Sequence, residues 1–121
     1  MNKLKITENQ TTQAIIQYLT LKKWRVWKIY NGSIPARVFG NKIIYKKKKV
    51  EERGLPDLFC MREGFPMLWL EVKSPGGRVR PEQKDFIERA MKTQNGWAHV
   101  VWLVDEVIEL NRVLEDKYKQ L

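Results

Sequence analysis

The fold is decided by the stretch LPDLFCMREGFPMLWLEVK, residues 55–73. It contains two apolar runs of strand length, 55–61 and 67–73, separated by turn-like residues. An antiparallel hairpin centred on Gly64 would place Asp57 directly opposite Glu71. Because strand side chains alternate between the two faces of a sheet, Lys73 would lie on the same face as Glu71.

The predicted hairpin would therefore gather two carboxylates and one ammonium group at its open end. Carboxylates that are removed from water repel each other, so a core does not readily bury an adjacent pair. A divalent cation held between Asp57 and Glu71 would relieve this repulsion. The alternative is a structural network in which Lys73 pairs with both carboxylates in a protein without catalytic activity.

The composition indicates one folded domain covering residues 1–121. The chain is 43% hydrophobic and contains five tryptophans, which is typical of a globular protein with a core of its own. It has no apolar run of the roughly 18–20 residues that a membrane span needs, and its start, MNKLKITENQ, lacks the apolar segment of a signal peptide. We therefore expect a cytoplasmic protein without a membrane partner. Cys60 is the only cysteine, which excludes an intrachain disulfide and suggests a small core residue.

The positive charge is concentrated in the first half of the chain. The net charge is +9, and residues 1–53 hold 13 Lys and Arg against 3 Asp and Glu. A basic surface of this size favours a polyanionic partner, above all nucleic acid, although a merely solubilising lysine-rich face is the alternative. Four consecutive lysines at 46–49 predict a basic mobile segment near 41–53 that would contact phosphates.

A first helix is predicted at 7–23. Thr7 and Gln10 match a capping box, and an apolar stripe of helical period follows. Glu8 lies on that stripe, four residues before Thr12. It either complements the helix dipole or supplies a third acidic group directed at the hairpin carboxylates.

A second helix is predicted at 81–94, with Pro81 in its first position. Arg80 is a poor N-cap residue. Gln83 shares the inner stripe with Phe86 and either caps the helix start or reaches the hairpin end.

The remaining elements complete a mixed sheet. Strands are predicted at 24–30 and 97–104, a short hairpin at 37–45, and a final helix with Asp105 as its cap. This last helix would bury Val107, Leu110, Leu114 and Tyr118. His99 has no nucleophile or metal ligand nearby in the sequence and is interpreted as structural. The passage from Lys73 through a helix to a second strand predicts a parallel pair, and hence an α/β protein whose central sheet is flanked by helices.

These residues resemble the PD-(D/E)xK nuclease motif. Pro56-Asp57 and Glu71-Val72-Lys73 carry the motif itself, and the surrounding RGLPDL, EVKSPGGR and PEQ resemble the VRR-NUC branch of that superfamily. Ile29-Tyr30-Asn31-Gly32 is similar to a strand end of the same branch. The similarity extends over roughly residues 8–104, and it departs from the family pattern at Arg80 and in the basic insert 41–53.

The resemblance implies a restriction-endonuclease-like core in the order α-β-β-β-α-β-α and a role for each motif residue. Asp57, Glu71 and the backbone carbonyl of Val72 would ligate Mg²⁺ or Mn²⁺, with Glu8 supporting the metal indirectly. Lys73 would position or deprotonate the attacking water and offset phosphate charge, and Gln83 would brace Lys73 or the water. The expected phosphate contacts are Lys46, Lys47, Lys48, Lys49, Arg53, Arg78 and Arg80.

The implied function is that of a metal-dependent, structure-selective DNA endonuclease. Members of this size resemble homodimeric Holliday-junction resolvases of DNA repair and recombination, which need no organic cofactor. Branched DNA is thus the expected substrate, and a four-way junction the specific one. The alternatives are a flap, nicking or restriction-like endonuclease and a non-catalytic basic DNA-binding protein.

Overall fold

The computed structural model describes residues 6–29, 33–39, 42–47, 54–93 and 96–119, with only the backbone described in 33–39 and 42–47. The elements in chain order are α1 (Glu8–Leu21), β1 (Arg25–Lys28), β2 (Ser33–Phe39), β3 (Lys42–Lys47), β4 (Leu58–Met61), β5 (Met67–Val72), α2 (Pro81–Lys92), β6 (Gly96–Val101) and α3 (Val104–Tyr118). In this described part of the chain, no helix is long and apolar enough to cross a membrane.

Four strands form the central sheet in the order β1-β4-β5-β6. β1 and β4 are antiparallel, as are β4 and β5, whereas β5 and β6 are parallel. Leu58 pairs with Leu70 and Phe59 with Trp69, which is the register predicted for a hairpin centred on Gly64. The mixed α/β sheet and the α-β-β-β-α-β-α order of the core are therefore confirmed.

The strands β2 and β3 form a separate antiparallel hairpin. It runs from Ser33 to Lys47 and is therefore longer than the hairpin predicted at 37–45. Of the segment 41–53 that was predicted to be mobile, Lys42–Lys47 forms strand β3. The run 48–53 lies outside the described residues, as does the predicted turn Asn31-Gly32.

The main core lies between the sheet and the helices α1 and α3. Alternation along β4 and β5 directs one set of apolar side chains to this face, and each large aliphatic one stabilises the fold by about 1.5–3 kcal/mol. The fully buried members of this core are Ile15, Leu19, Leu58, Cys60, Leu70, Val72, Val107 and Leu114. Burial raises the pKa of the Cys60 thiol to about 12, which makes it an unreactive core residue, as its position predicted.

The opposite face of the sheet is partly covered by α2. Phe86 of α2 meets Trp69 of β5 edge to face, with ring centroids 5.0 Å apart. Asp57 and Glu71 belong to this face by alternation from Phe59 and Trp69. The candidate site therefore lies between the end of the hairpin and the start of α2.

The ends of α1 follow local chemistry. The capping box is confirmed: Thr7 Oγ1 accepts from the Gln10 N–H at 3.1 Å, and the Thr7 N–H donates to Gln10 Oε1 at 2.9 Å. After the helix, Lys23 adopts a positive φ of 72°. The Trp24 N–H then reaches back to the Leu19 carbonyl at 2.9 Å, as in a Schellman motif. This turn directs the Trp24 ring into the core.

Three element boundaries in the second half of the chain differ from the predictions. α2 ends at Lys92, and β6 ends at Val101 instead of 104. α3 begins at Val104, so Asp105 lies in its first turn and is not the N-cap. The reason is that the chain leaves the sheet at Trp102, whose N–H donates to Glu106 Oε2 at 3.2 Å and ties the turn to the new helix.

The inner stripe of α3 contains a polar residue that the periodicity did not reveal. Val107 and Leu114 are buried as predicted, but Asn111 between them is only 2% exposed. Asn111 Oδ1 accepts from Trp24 Nε1 at 2.9 Å, and its Nδ2 donates to Glu115 Oε1 at 2.7 Å. The amide thus joins α3 to the start of β1 through a satisfied buried network.

Replacing Asn111 with Leu is expected to destabilise the protein by about 1–3 kcal/mol, because the buried Trp24 indole N–H would lose its acceptor. Urea denaturation followed by tryptophan fluorescence measures the change. Arg112→Leu, on the exposed side of α3, is the control and should change the free energy of unfolding by less. Equal stability of wild type and Asn111→Leu would show that the hydrogen bond to Trp24 contributes nothing.

Candidate active site

Hydrogen bonds from two backbone N–H groups, one on each neighbouring segment of the sheet, hold Asp57 in position. It immediately precedes β4, and its carbonyl accepts from the Ile29 N–H at 2.7 Å, which holds it against the end of β1. Its Oδ2 accepts from the Val72 N–H at 2.9 Å across the hairpin. This second bond fixes the carboxylate at the end of β5, next to Glu71.

The carboxyl group of Glu71 is almost completely enclosed. The residue is 3% exposed, and its Oε1 accepts from Gln83 Nε2 at 2.8 Å. Its Oε2 is buried and has no hydrogen-bond partner among the described residues. Burial, followed by repulsion from Asp57, raises the pKa of Glu71 to about 7, and Lys73 only partly offsets this.

Lys73 follows β5 directly and stays close to Glu71. Its Nζ lies 3.5 Å from Glu71 Oε1, and its side chain is 14% exposed. The Lys73 N–H donates to the Val101 carbonyl at 2.9 Å, which ties the backbone to β6. A turn closed by the Gly77 N–H on the Ser74 carbonyl, at 2.8 Å, with Gly76 at a φ of 82°, then carries the chain away.

Gln83 performs both of the roles that the sequence left open. Its Oε1 accepts from the Arg80 N–H at 3.0 Å and so caps the start of α2, which Arg80 cannot do with its own side chain. Its Nε2 donates to Glu71, so the amide braces the carboxylate; the described contacts do not include one with Lys73. One side chain can do both because an amide carries a donor and an acceptor.

The other predicted residues lie apart from this cluster or outside the described side chains. Glu8 is exposed, contrary to the inward direction suggested by its stripe. The described residues contain no group of three or more His, Cys, Asp or Glu side chains suited to a metal, so Glu8 does not join Asp57 and Glu71. Arg78 and Arg80 are exposed. Lys46 and Lys47 lie in β3, where only the backbone is described, and Lys48, Lys49 and Arg53 lie outside the described residues.

The close approach of Gly54 to α2 is a feature that sequence reasoning missed. A Cβ at position 54 would lie 2.8 Å from the carbonyl carbon of Glu82 and even closer to its oxygen. Only glycine fits this contact, which presses the segment before Asp57 against the first turn of α2. The available signal was the Gly directly before Leu55-Pro56-Asp57, since glycine often marks a close backbone approach.

The donor set suits a hard divalent cation. Glu71 Oε2 is buried and has no hydrogen-bond partner within the part of the chain that the structure describes. The charge of this carboxyl group is disfavoured by burial and by the Asp57 carboxylate beside it. A cation that prefers oxygen ligands would coordinate that oxygen and offset the repulsion between the two carboxylates. The Val72 carbonyl, between Glu71 and Lys73 in the chain, is the third ligand that the resemblance implied.

Comparison with known families gives a match to the VRR-NUC domain over residues 6–102. A search for similar curated proteins returned no match. The matched range contains the hairpin, both carboxylates, Lys73 and the helix that carries Gln83. The chain therefore belongs to the VRR-NUC family of nuclease domains.

Proposed function

We propose that the protein is a divalent-metal-dependent, structure-selective DNA endonuclease that hydrolyses phosphodiester bonds. Its active site would be formed by Asp57, Glu71 and Lys73. One observation carries the proposal: Glu71 is buried beside Asp57, its Oε1 is held by Gln83, and its Oε2 has no hydrogen-bond partner among the residues described in the structure. Burial and the neighbouring Asp57 carboxylate raise the pKa of Glu71 to about 7, and groups perturbed in this way cluster at functional sites.

Asp57, Glu71 and the Val72 carbonyl would hold Mg²⁺ or Mn²⁺ in this enzyme. When bound, such a cation polarises the phosphate and lowers the pKa of a coordinated water. The Val72 N–H keeps the Asp57 carboxylate in place, and Gln83 fixes the plane of the Glu71 carboxylate. These two hydrogen bonds would hold both proposed ligands in place before the cation binds.

Lys73 supplies the positive charge of the site. Its ammonium group, 3.5 Å from Glu71, would stabilise the negative charge that develops on the phosphate in the transition state. Gln83 is a positioning residue in this scheme, because it contacts Glu71 and would act through it. Glu8, which is exposed, would contribute only indirectly.

The substrate we propose is branched DNA, with a four-way junction cut by a homodimer as the specific case. Symmetric cleavage of a junction requires two active sites, which a two-fold dimer supplies. The basic first half of the chain supports a DNA substrate. The N–H of Ile29 bonds to the Asp57 carbonyl, and the β2–β3 hairpin begins four residues after Ile29. The base of this hairpin therefore lies within about 14 Å of the candidate site.

A substrate panel tests this proposal. Labelled four-way junction, flap and linear duplex DNA of matched sequence are incubated with the protein, with Mg²⁺ or with EDTA. We expect Mg²⁺-dependent cleavage of the junction at least 10-fold faster than that of the duplex. Faster cleavage of the flap would assign the enzyme to flap substrates, equal cleavage of plain duplex would refute structure selectivity, and cleavage in EDTA would refute metal dependence.

Binding of Mn²⁺ is expected to release protons near neutral pH. Because the pKa of Glu71 is about 7, the free protein holds a proton there that a cation must displace. The apparent affinity should therefore rise between pH 6 and pH 8. Calorimetric titration at pH 7 in two buffers of different ionisation enthalpy measures the released protons, for which we expect about half a proton per Mn²⁺.

Glu71→Gln is the matched variant for this titration, since it keeps the shape of the side chain and has no proton to release. Unchanged Mn²⁺ binding in Glu71→Gln would favour the structural network in which Lys73 only neutralises the two carboxylates.

Replacing Gly54 with Ala is expected to impair cleavage more than stability alone explains. The new methyl group would push the first turn of α2, and with it Gln83, away from Glu71. We expect a destabilisation of about 1–3 kcal/mol and a fall in cleavage of at least 10-fold at temperatures where the variant is folded.

Gly64→Ala is the control for this comparison. Its backbone has a φ of 84°, so alanine is strained there and stability falls, but position 64 lies at the far end of the hairpin. Equal cleavage by the two variants would mean that the contact between Gly54 and Glu82 does not position the site.

A further inference from the structure

A row of aromatic side chains extends away from the candidate site across the face of the sheet that carries it. Trp27 of β1 lies opposite Phe59 of β4, with ring centroids 5.9 Å apart and planes inclined by 31°. Phe59 in turn lies 4.6 Å from the Trp69 ring. The helix α2 packs on β6 and reaches Trp69 through Phe86. Trp27, at the outer end of the row, remains 46% exposed.

The aromatic row is continuous with the carboxylates of the candidate site. Phe59 lies two residues after Asp57 on the same strand face, which corresponds to about 6.6 Å along β4. The backbone of Asp57 is joined to β1 by the Ile29 N–H, two residues after Trp27. A nucleotide adjacent to a phosphate at Asp57 would therefore reach the rings of Phe59 and Trp27.

The far end of the row carries a cation. Arg25 is exposed and lies on the same face of β1 as Trp27, paired with Met61 of β4. The strip from Asp57 to Met61 is about 13 Å long. It thus has a candidate metal site at one end, a guanidinium at the other, and the half-buried Phe59 ring and the exposed Trp27 ring between them. This arrangement complements a polynucleotide strand whose bases lie against the rings.

We propose that Trp27 and Phe59 form a stacking platform for an unpaired nucleotide of the DNA substrate next to the scissile phosphate. This inference rests on the proposed function and deepens it, because it names the unpaired nucleotide as the feature of branched DNA that the enzyme recognises. The base must be unpaired because, within a continuous duplex, both faces of every base are already stacked on neighbours. A protein ring can stack on an unpaired base at a branch or flap, where the base is free to leave its neighbours.

The position of the row favours a nucleotide over a second copy of the chain. A partner protein seated on Trp27 and Phe59 would also approach Asp57, about 6.6 Å away along the strand, and would restrict access of the phosphate to the site. A nucleotide strand bound there is part of the substrate and brings the phosphate with it.

Binding in EDTA tests the platform without requiring cleavage. Fluorescence anisotropy compares a labelled single-stranded oligonucleotide with a duplex of the same sequence, for wild type, Trp27→Ala, Trp27→Leu and Trp27→Phe. We expect Trp27→Ala and Trp27→Leu to bind the single strand about 10-fold more weakly, while duplex binding changes less than about two-fold. Trp27→Phe keeps an aromatic face and should lose less than about three-fold.

A fluorescent base reports the stacking directly. The emission of 2-aminopurine in the single strand should be quenched by wild type and by Trp27→Phe, but not by Trp27→Ala. Ile108→Ala removes an exposed apolar side chain from α3, on the other side of the sheet, and should bind both DNAs like wild type.

Three results would overturn the platform. Equal losses on single strand and duplex would indicate a general DNA contact, and wild-type binding by Trp27→Leu would indicate that only an apolar surface is needed. A dimer that becomes a monomer in sedimentation when Trp27 is replaced by Ala would assign the surface to a second copy of the chain. A failure of the proposed function is distinguishable from a failure of the platform. The protein's preference for single strands, which should depend on Trp27, is measured in EDTA and should persist even if the protein does not cleave DNA.

Discussion

Replacing Asp57 with asparagine is expected to abolish DNA cleavage while leaving the fold and DNA binding intact. An asparagine oxygen can still accept the hydrogen bond from the Val72 N–H, so the hairpin end keeps its geometry. The variant lacks the negative charge that would hold the cation, and losing several kcal/mol of transition-state stabilisation corresponds to at least about a 10³-fold slower reaction. Single-turnover cleavage of a four-way junction in Mg²⁺ measures the rate, and anisotropy in EDTA measures binding.

Asp85→Asn is the matched control for this experiment. Asp85 lies on the exposed side of α2, where it pairs with Arg89 at 3.0 Å, and its replacement should leave cleavage unchanged. If Asp57→Asn cleaved the junction at the wild-type rate, the carboxylate pair would not be the catalytic site.

Replacing Glu71 with glutamine is expected to remove cleavage and to stabilise the protein in the absence of metal. The folded protein holds the Glu71 proton up to about pH 7, whereas the unfolded chain releases it near the ordinary value of 4.5. Between these two pH values the folded state binds more protons, so the free energy of unfolding falls as the pH rises. Glutamine has no proton to lose, and its amide can still accept from Gln83.

The stability advantage of Glu71→Gln should therefore grow by about 2 kcal/mol between pH 5 and pH 8. Urea denaturation of both proteins in EDTA at several pH values measures this difference. Mg²⁺ should then stabilise wild type and not the variant, because a ligand stabilises the state to which it binds. A pH-independent difference between the two proteins would contradict the raised pKa of Glu71.

The opposing effects of Glu71 on stability and on activity are what a preorganised catalytic site leads one to expect. The protein keeps a carboxylate in a buried environment that disfavours its charge because a bound cation is expected to offset that charge. A carboxylate selected only for stability would have been exposed or fully paired.

Much of the site was predictable because it depends on neighbouring residues. Strand alternation and the Gly64 turn set the hairpin register, and that register places Asp57 next to Glu71. Of the two alternatives for Glu8, its exposure favours the one in which it complements the helix dipole. Helical spacing gives the side of the helix but not how far its first turn extends over the sheet. The two readings of Gln83 could not be separated from spacing, because both contacts depend on where α2 docks.

Helix caps, turn residues and the alternation of apolar side chains act over a few residues, so the sequence determined the elements, their order and the paired carboxylates. The contacts between distant segments were decided only by the tertiary structure. Gly54 packs on Glu82, Gln83 bonds to Glu71, and Asn111 bonds to Trp24. Each of these contacts requires two elements to dock at a particular distance and angle, which is set by the packing of the whole core and is not encoded in the spacing of any single segment.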